Sequence, residues 1–482
     1  MYRVLYLAAI GIFLAAPVPS EAGGAPSASR LSRLRGHVGT EQRDIPQQQA
    51  SVQVSGVANA TAAEISPTGV GGLLRPRGQA IQPGEILSVD RCVGIGLANH
   101  PSIRAGSHAV DAAASRVGQA RSGYYPQITL SSGYSKYSLV TDPMNTDVDQ
   151  YSASATLTQS VYEFGKTWNR VTIQQRFRDA AQADLRDITN QVVFSVKNAY
   201  YNVLQARRSV EVLVESVKSF EQHLEQARAF FETGVRSKFD VTKAEVDLSN
   251  ARLILIRGEN LLRVRQAVLN NAMGVADATE TEYDIEDTLS IEKLTITLDD
   301  AVRKAYENRP DLLAVRAREE AAGESVTLAR KGFLPALTGS ATYTREAEQL
   351  PVDQTGWSVG LTLTFPLFSG FLTSYEVREA KENVNIARAN EEGLRQAILL
   401  DVKSVFLSLR EADERVAVAE LTVRQAEENY EIARGRYEAG VSDIIEETDS
   451  LVGLRNAKLG LISALADYKI ADAALKRAMG EQ

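Results

Sequence analysis

The densest group of ionisable side chains in this sequence follows a glycine: Asp443, Glu446, Glu447 and Asp449 lie just past Gly440. Carboxylates at a helix start complement the positive end of the helix dipole and usually face solvent. Glu446 and Asp449 stand three apart, so they share one helix face at about 60°. Carboxylates held close together attract cations, which is electrostatic filtering rather than bond-making. Signatures of catalysis are nearly absent. Gly165-Lys-Thr167 ends like a phosphate-binding loop, but the first glycine of that motif falls on Ser160. His37, His100, His108 and His223 are scattered and show no HExxH spacing. Cys92 is the single cysteine, which excludes an intrachain disulfide and a Cys-rich metal site. It reads as a small packed residue in a helix. The expectation is a protein that is no enzyme and needs no cofactor or metal.

The elements that carry these residues belong to an exported chain. Arg3 precedes an apolar run from Val4 to Ala16, broken only by Gly11, and Ser20-Glu-Ala22 offers a small-residue cleavage site. Residues 1–22 therefore read as a secretory signal peptide, the run being shorter than the roughly 20 residues of a spanning helix. Residues 23–81, rich in Gly, Ala, Ser, Gln and Pro, read as a flexible leader. No other segment is apolar for long enough to cross a membrane as a helix. That leaves the periplasm, secretion, or an outer-membrane β-barrel. The 53 Lys and Arg against 61 Asp and Glu form no long basic block, so nucleic acid is not an expected partner.

From Leu87 the chain repeats itself. Asn99-His-Pro101 recurs as Asn308-Arg-Pro310, and Tyr125-Pro126 as Leu334-Pro335. Phe231-Glu-Thr-Gly234 recurs as Tyr437-Glu-Ala-Gly440, and Ala272-Met-Gly274 as Ala478-Met-Gly480. The offset is 209 residues before Pro126 and 206 from Tyr151 onward, so three extra residues fall within the polar stretch Thr141–Asp149. That stretch reads as a loop, on the outer side where strand connections vary in length. Two copies of one fold are expected, over 82–274 and 297–482, joined by a linker at 275–296.

Each copy switches period twice. A helix from Leu87 to about Gly123 is interrupted before Pro101, because the residue before proline avoids the helical region. Two strands follow, Ile128–Ser138 and Tyr151–Val161, with counterparts Leu337–Ala347 and Trp357–Leu367. In the last, Trp357, Val359, Leu361 and Leu363 alternate with small or polar residues, and the length of about 11 residues suits a tilted membrane strand. Long helices follow over 167–233 and 374–439, each about 100 Å by helix geometry. Two columns at seven-residue spacing mark coiled-coil packing in the second: Val377, Val384, Glu391, Ile398, Val405, Ala412 and onward, then Val402, Leu409, Val416, Val423, Tyr430 and Tyr437. Gly234 and Gly440 end the long helices at hairpin turns, and return helices of about half the length follow, Phe239–Met273 and Ile445–Met479. The interrupted helix and the return helix, stacked end to end, should match the long one.

Four membrane-length strands cannot close on themselves, and hydrocarbon cannot satisfy open edges. Two or more chains must then share one barrel.

This order of elements resembles the TolC-type outer-membrane factor family over about residues 82–482. The stretches that carry the likeness are Phe365-Pro-Leu-Phe-Ser-Gly370 and its counterpart Gln159–Gly165, Arg436-Tyr-Glu-Ala-Gly440 at the turn, and the paired proline breaks. The resemblance implies a mainly α-helical protein with a β-barrel segment: a homotrimer with a 12-stranded barrel in outer-membrane lipid and a helical tunnel in the periplasm. It implies a passive exit duct of a tripartite efflux pump or type I secretion system, served by a periplasmic adaptor (membrane fusion) protein and an inner-membrane pump of RND, ABC or MFS type. Glu446 and Asp449 would form stacked acidic rings at the periplasmic aperture, selecting cations. Asp240 and Tyr437 match tip-closing positions. Where some members carry a closing arginine this chain has Ser442, with Arg236 and Lys238 after the first turn instead. The competing reading is a structural periplasmic or surface coiled-coil protein without a channel.

Overall fold

The computed structural model describes residues 81–481, apart from 83, 142–143, 276–282, 290–295 and 348–353, and apart from the side chains of 139–147. The expected signal peptide and nearly all of the leader lie outside the described residues. Within them, each repeat builds the same series of helices at equal lengths around two strands, which are longer in the first repeat. The first contains β1 (Ile86–Leu87), α1 (Val89–Asn99), α2 (Pro101–Arg121), β2 (Gln127–Thr141), β3 (Met144–Tyr162), α3 (Lys166–Glu232) and α4 (Lys238–Ala272). After β4 (Asp284–Ile285), the second contains α5 (Leu298–Asn308), α6 (Pro310–Arg330), β5 (Ala336–Ala347), β6 (Gln354–Thr364), α7 (Leu372–Glu438) and α8 (Ile444–Ala478). Ser88 and Thr297 cap α1 and α5 by accepting from the backbone N–H three residues on. Pro101 and Pro310 each open a new helix at its first turn, where a missing N–H costs nothing.

The helices form a row of four rods. α3 and α7, 67 residues each, are continuous. α2 and α4 lie along α3, while α6 and α8 lie between α3 and α7 and pack on both. The row is therefore α2 with α4, then α3, then α6 with α8, then α7. Stacking is tightest where the return helices end against the proline breaks. A Cβ on Gly274 would meet the His100 Cα at 2.9 Å, and one on Gly480 the Asn308 carbonyl carbon at 2.8 Å. Both glycines have positive φ, 69° and 79°, so conformation and space each demand glycine. The end-to-end partner of the return helix is α2 or α6 alone, not the whole interrupted helix. α1 lies beside α3 at the level of the last turns of α4: a Cβ on Gly96 would touch both Val196 and Met273. Apolar Leu87, Cys92, Ile95, Val196, Tyr200, Leu269 and Met273 make that level a core.

Burial along α7 follows the two expected columns. Ile398, Val402, Leu409, Ala412, Val416, Ala433 and Tyr437 are buried, and Val384, Val405, Ala419, Val423, Ala426 and Tyr430 are half-buried. Spacings alternate between three and four except at Leu394, Ile398 and Val402, where two fours follow each other.

The strands form one antiparallel sheet in the order β2-β3-β5-β6, leaving β2 and β6 as open edges. Several strand limits differ from the sequence expectation. Thr141 and Met144–Asp149, expected in a loop, belong to strands: β2 and β3 stay paired up to Thr141 opposite Met144, because cross-strand bonding continues through the polar residues. β6 stops at Thr364 rather than Leu367, since Pro366 has no N–H for the ladder. At the strand-to-helix junctions two successive residues are left-handed in each repeat, Phe164 and Gly165 in the first, Gly370 and Phe371 in the second. The order of glycine and phenylalanine is inverted between the repeats.

The segment between repeats is more than a linker. β4 pairs in parallel with β1, the Tyr200 hydroxyl lies 2.6 Å from the Glu286 carbonyl oxygen, and Arg207 donates to that of Ile285.

Candidate functional site

At the hairpin turns, the chain ends each long helix by the same device. Gly234 and Gly440, at φ 77° and 73°, occupy the left-handed position after the cap. Val235 and Val441 then donate back to the carbonyls of Phe230 and Arg436, closing a Schellman turn. Asp443 caps α8, accepting from the N–H groups of Ile445 and Glu446.

Glu446 and Asp449 both lie on the exposed face of α8. Their surroundings differ. Glu446 pairs with Arg436 at 3.1 Å across the turn, whereas Asp449 makes no ion pair among the described residues. Tyr437 is fully buried, and its hydroxyl finds no hydrogen-bond partner. No hydrogen bond joins it to Asp240, which instead accepts from Ser237 Oγ at 3.4 Å. Burial first, then the Asp240 charge, pushes the Tyr437 phenol above its ordinary range.

Sequence reasoning missed what surrounds this tyrosine. The Arg236 guanidinium sits 5.0 Å from the Tyr437 ring centroid and donates to the Ser442 carbonyl oxygen at 2.7 Å. The arginine absent at position 442 is thus supplied from the other turn. His223 of α3 and Glu447 of α8 meet at 3.2 Å beside the same ring, with side chains only 4% and 5% exposed. In the sequence, His223 was one of four scattered histidines and Glu447 one of four helix-start acids; the only signal was their place near the turns.

At the opposite end the sheet separates two chemistries. Ile128, Leu130, Trp357, Val359, Leu361 and Leu363 share one face and are at least 67% exposed. The other face carries Ser and Thr: Ser131 meets Ser154 at 2.7 Å and Thr156 meets Thr342 at 3.4 Å. A sheet with an apolar outer face and a hydroxyl-lined inner face is a membrane element. Among the described residues, no helix is long and apolar enough to cross a bilayer, and no three His, Cys, Asp or Glu side chains converge as metal ligands.

The family model described as outer membrane efflux protein matches residues 94–275 and 301–481, one copy in each repeat. The chain belongs to the outer membrane efflux protein family. It is 24% identical over 406 residues to outer membrane protein TolC of Escherichia coli, covering 79% of this chain and 80% of that protein. It is 25% identical over 365 residues to protein CyaE of Bordetella pertussis, at 75% and 77% coverage. The solved outer-membrane channel OprN shares the fold, with a TM-score of 0.72 at 17% identity over 82% of this chain and 90% of that one. Like other outer membrane efflux proteins, this chain is the outer-membrane channel component of an efflux or type I secretion system. A coiled-coil protein without a channel is not favoured, since the membrane-length sheet would then have no role.

Proposed function

We propose that the chain is one third of a homotrimeric passive duct whose periplasmic tip is opened by an adaptor protein and an inner-membrane pump of RND, ABC or MFS type. The observation that carries this reading is the pair of unsatisfied edges. β2 and β6 are open at either side of the sheet, and the rods beside them expose apolar stripes. On α4 these are Val246, Leu253, Val264 and Val268; on α7 they are Ile386, Leu400, Leu407 and Leu421. A second copy placed edge to edge would pair the strands and cover both stripes. Three copies give twelve strands and a closed barrel, which hydrocarbon requires. The exposed Val235, Phe239, Val441 and Ile445 at the turns offer an apolar surface for an adaptor.

In this trimer Glu446 and Asp449 would contribute two acidic rings to the aperture, and Asp240, Tyr437, Gly234 and Gly440 would shape its closed state. Residues 1–22 would act as the signal peptide that directs export. Light scattering in mild detergent, combined with conductance in planar bilayers, tests the assembly. A trimer that forms pores supports it, and a monodisperse monomer that still forms pores would sink it.

A further inference from the structure

A small cleft lies where the two hairpins of one chain meet, between α3 of the first and α7 and α8 of the second. By the helix rise it is roughly 25 Å from the hairpin turns. Its volume is about 60 Å³, and Val212, Leu451, Leu454, Tyr430, Ser216 and Arg455 line it. Two of these side chains lack a partner. The Ser216 hydroxyl is buried without a hydrogen bond, which is rare in folded proteins. The half-buried Arg455 makes no ion pair among the described residues. Its guanidinium donates only to the side-chain oxygen of the adjacent Asn456, at 3.2 and 3.4 Å. Burial, with no carboxylate to offset it, holds Arg455 below its ordinary range.

The duplication shows that neither feature is required by the fold. The residue equivalent to Ser216 in the second repeat is Thr422, whose Oγ1 donates to the Val418 carbonyl oxygen at 2.8 Å. The residue equivalent to Arg455 in the first repeat is Ser249, whose Oγ donates to the Glu245 carbonyl oxygen at 2.8 Å. The arginines of the first hairpin have partners: Arg228 pairs with Glu245 and Arg252 with Glu221, each at 2.7 Å. A buried charge left unpaired is unfavourable, so an unpaired donor and an unpaired cation beside one cleft point to an anion from outside the chain.

We propose that this cleft binds a short-chain carboxylate, with its charged end on Arg455 and Ser216 and its alkyl chain against Leu451 and Leu454. The inference goes beyond the duct reading and stands without it. Charge sets the class of ligand. At the rim Lys458 of α8 pairs with Glu215 of α3 at 3.2 Å, so those two cancel and Arg455 leaves one net positive charge for a monoanion. A guanidinium offers a carboxylate two parallel hydrogen bonds. Size sets the chain length. A volume of this kind holds roughly four to six water-sized groups, the range from acetate to butyrate. Because the lining comes from both hairpins, the occupant ties one to the other and stabilises the arrangement that binds it.

Calorimetric titration of the full-length protein in mild detergent, with butyrate as the probe at constant ionic strength, tests this. Wild type should take up one butyrate per chain and unfold at a higher temperature in its presence. Butyramide, of the same shape but uncharged, should bind at least tenfold more weakly. Arg455→Met keeps the apolar stem and should weaken butyrate binding tenfold or more. Should that variant fold poorly, Ser216→Val, which removes the donor and fills the cleft, should abolish binding in a folded protein. Failure of folded wild type to bind butyrate, equal affinity for butyramide, or undiminished binding in both variants would overturn the site. Inorganic phosphate binding as tightly as butyrate would overturn the alkyl half of the assignment.

Discussion

Arg236 and Ser442 occupy the same place in the two repeats, each two residues past its turn glycine, and they touch: the Arg236 Nη2 donates to the Ser442 carbonyl oxygen at 2.7 Å. One turn thus supplies the cation and the other the acceptor, so the repeats are joined by a contact between equivalent positions. Arg236→Ala should loosen the tip. A hydrogen bond from a charged donor contributes about 1.5–3 kcal/mol at most, and less where solvent reaches it. The expected outcome is a raised single-channel open probability with little change in thermal stability. An unchanged open probability would mean the contact does not restrain the tip.

Two kinds of helix-ending glycine separate two physical costs. Gly440 has positive φ but open space around its missing Cβ, whereas Gly480 has positive φ and backbone of Asn308 and Arg309 within 3 Å. Gly440→Ala should lose roughly 1–2 kcal/mol, the left-handed penalty alone. Gly480→Ala should lose clearly more and separate α8 from the α5–α6 break. Urea unfolding of the two variants side by side measures the difference, and equal losses would contradict the close approach.

Cys92 gives a labelling prediction. It is fully buried, and burial pushes its thiol up to about 12. The thiolate is the reactive form, so at pH 8 the native protein should be silent to a thiol reagent. It should react with one equivalent once denatured. Rapid labelling of the native trimer would show that the level around α1 opens readily.

Asp449 should outweigh Glu446 in cation selectivity, because Glu446 already has Arg436 as a partner. Asp449→Ala should reduce both selectivity and block by multivalent cations, and the double replacement should add little. The fold should survive, since both side chains are exposed. Unchanged selectivity in the double variant would reduce these acids to an ordinary solvated helix start.

Much of the fold was legible in the sequence because duplication let each element be read twice. The columns through Ile398 and Val402, the turn glycines and the alternation from Trp357 are local patterns that survive folding unchanged. What stayed hidden depends on long-range pairing. The strand segment Met144–Asp149 looks polar because it extends past the apolar span, and only its partner strand reveals it. β1 and β4 have two residues each, too few for any period. At the tip, the acids and the turns could be located, but the meetings of Arg236 with Ser442 and His223 with Glu447 join residues more than 200 positions apart.

The two successive fours at Leu394, Ile398 and Val402 change the mechanics of α7. They replace a seven-residue rhythm by one of eleven, whose 3.67 residues per turn relaxes left-handed coiling. Ile398 and Val402 are fully buried there, and Arg309 clamps the intervening Asp401 at 2.7 Å. The equivalent residues of α3, Val192 and Val196, are buried as well. α7 is thus least coiled at the level where Ile398 and Val402 are buried and Arg309 holds Asp401. Torque generated by recoiling the hairpins would be spent at this collar, leaving the lipid-facing strands as a rigid mouth on a deformable stem.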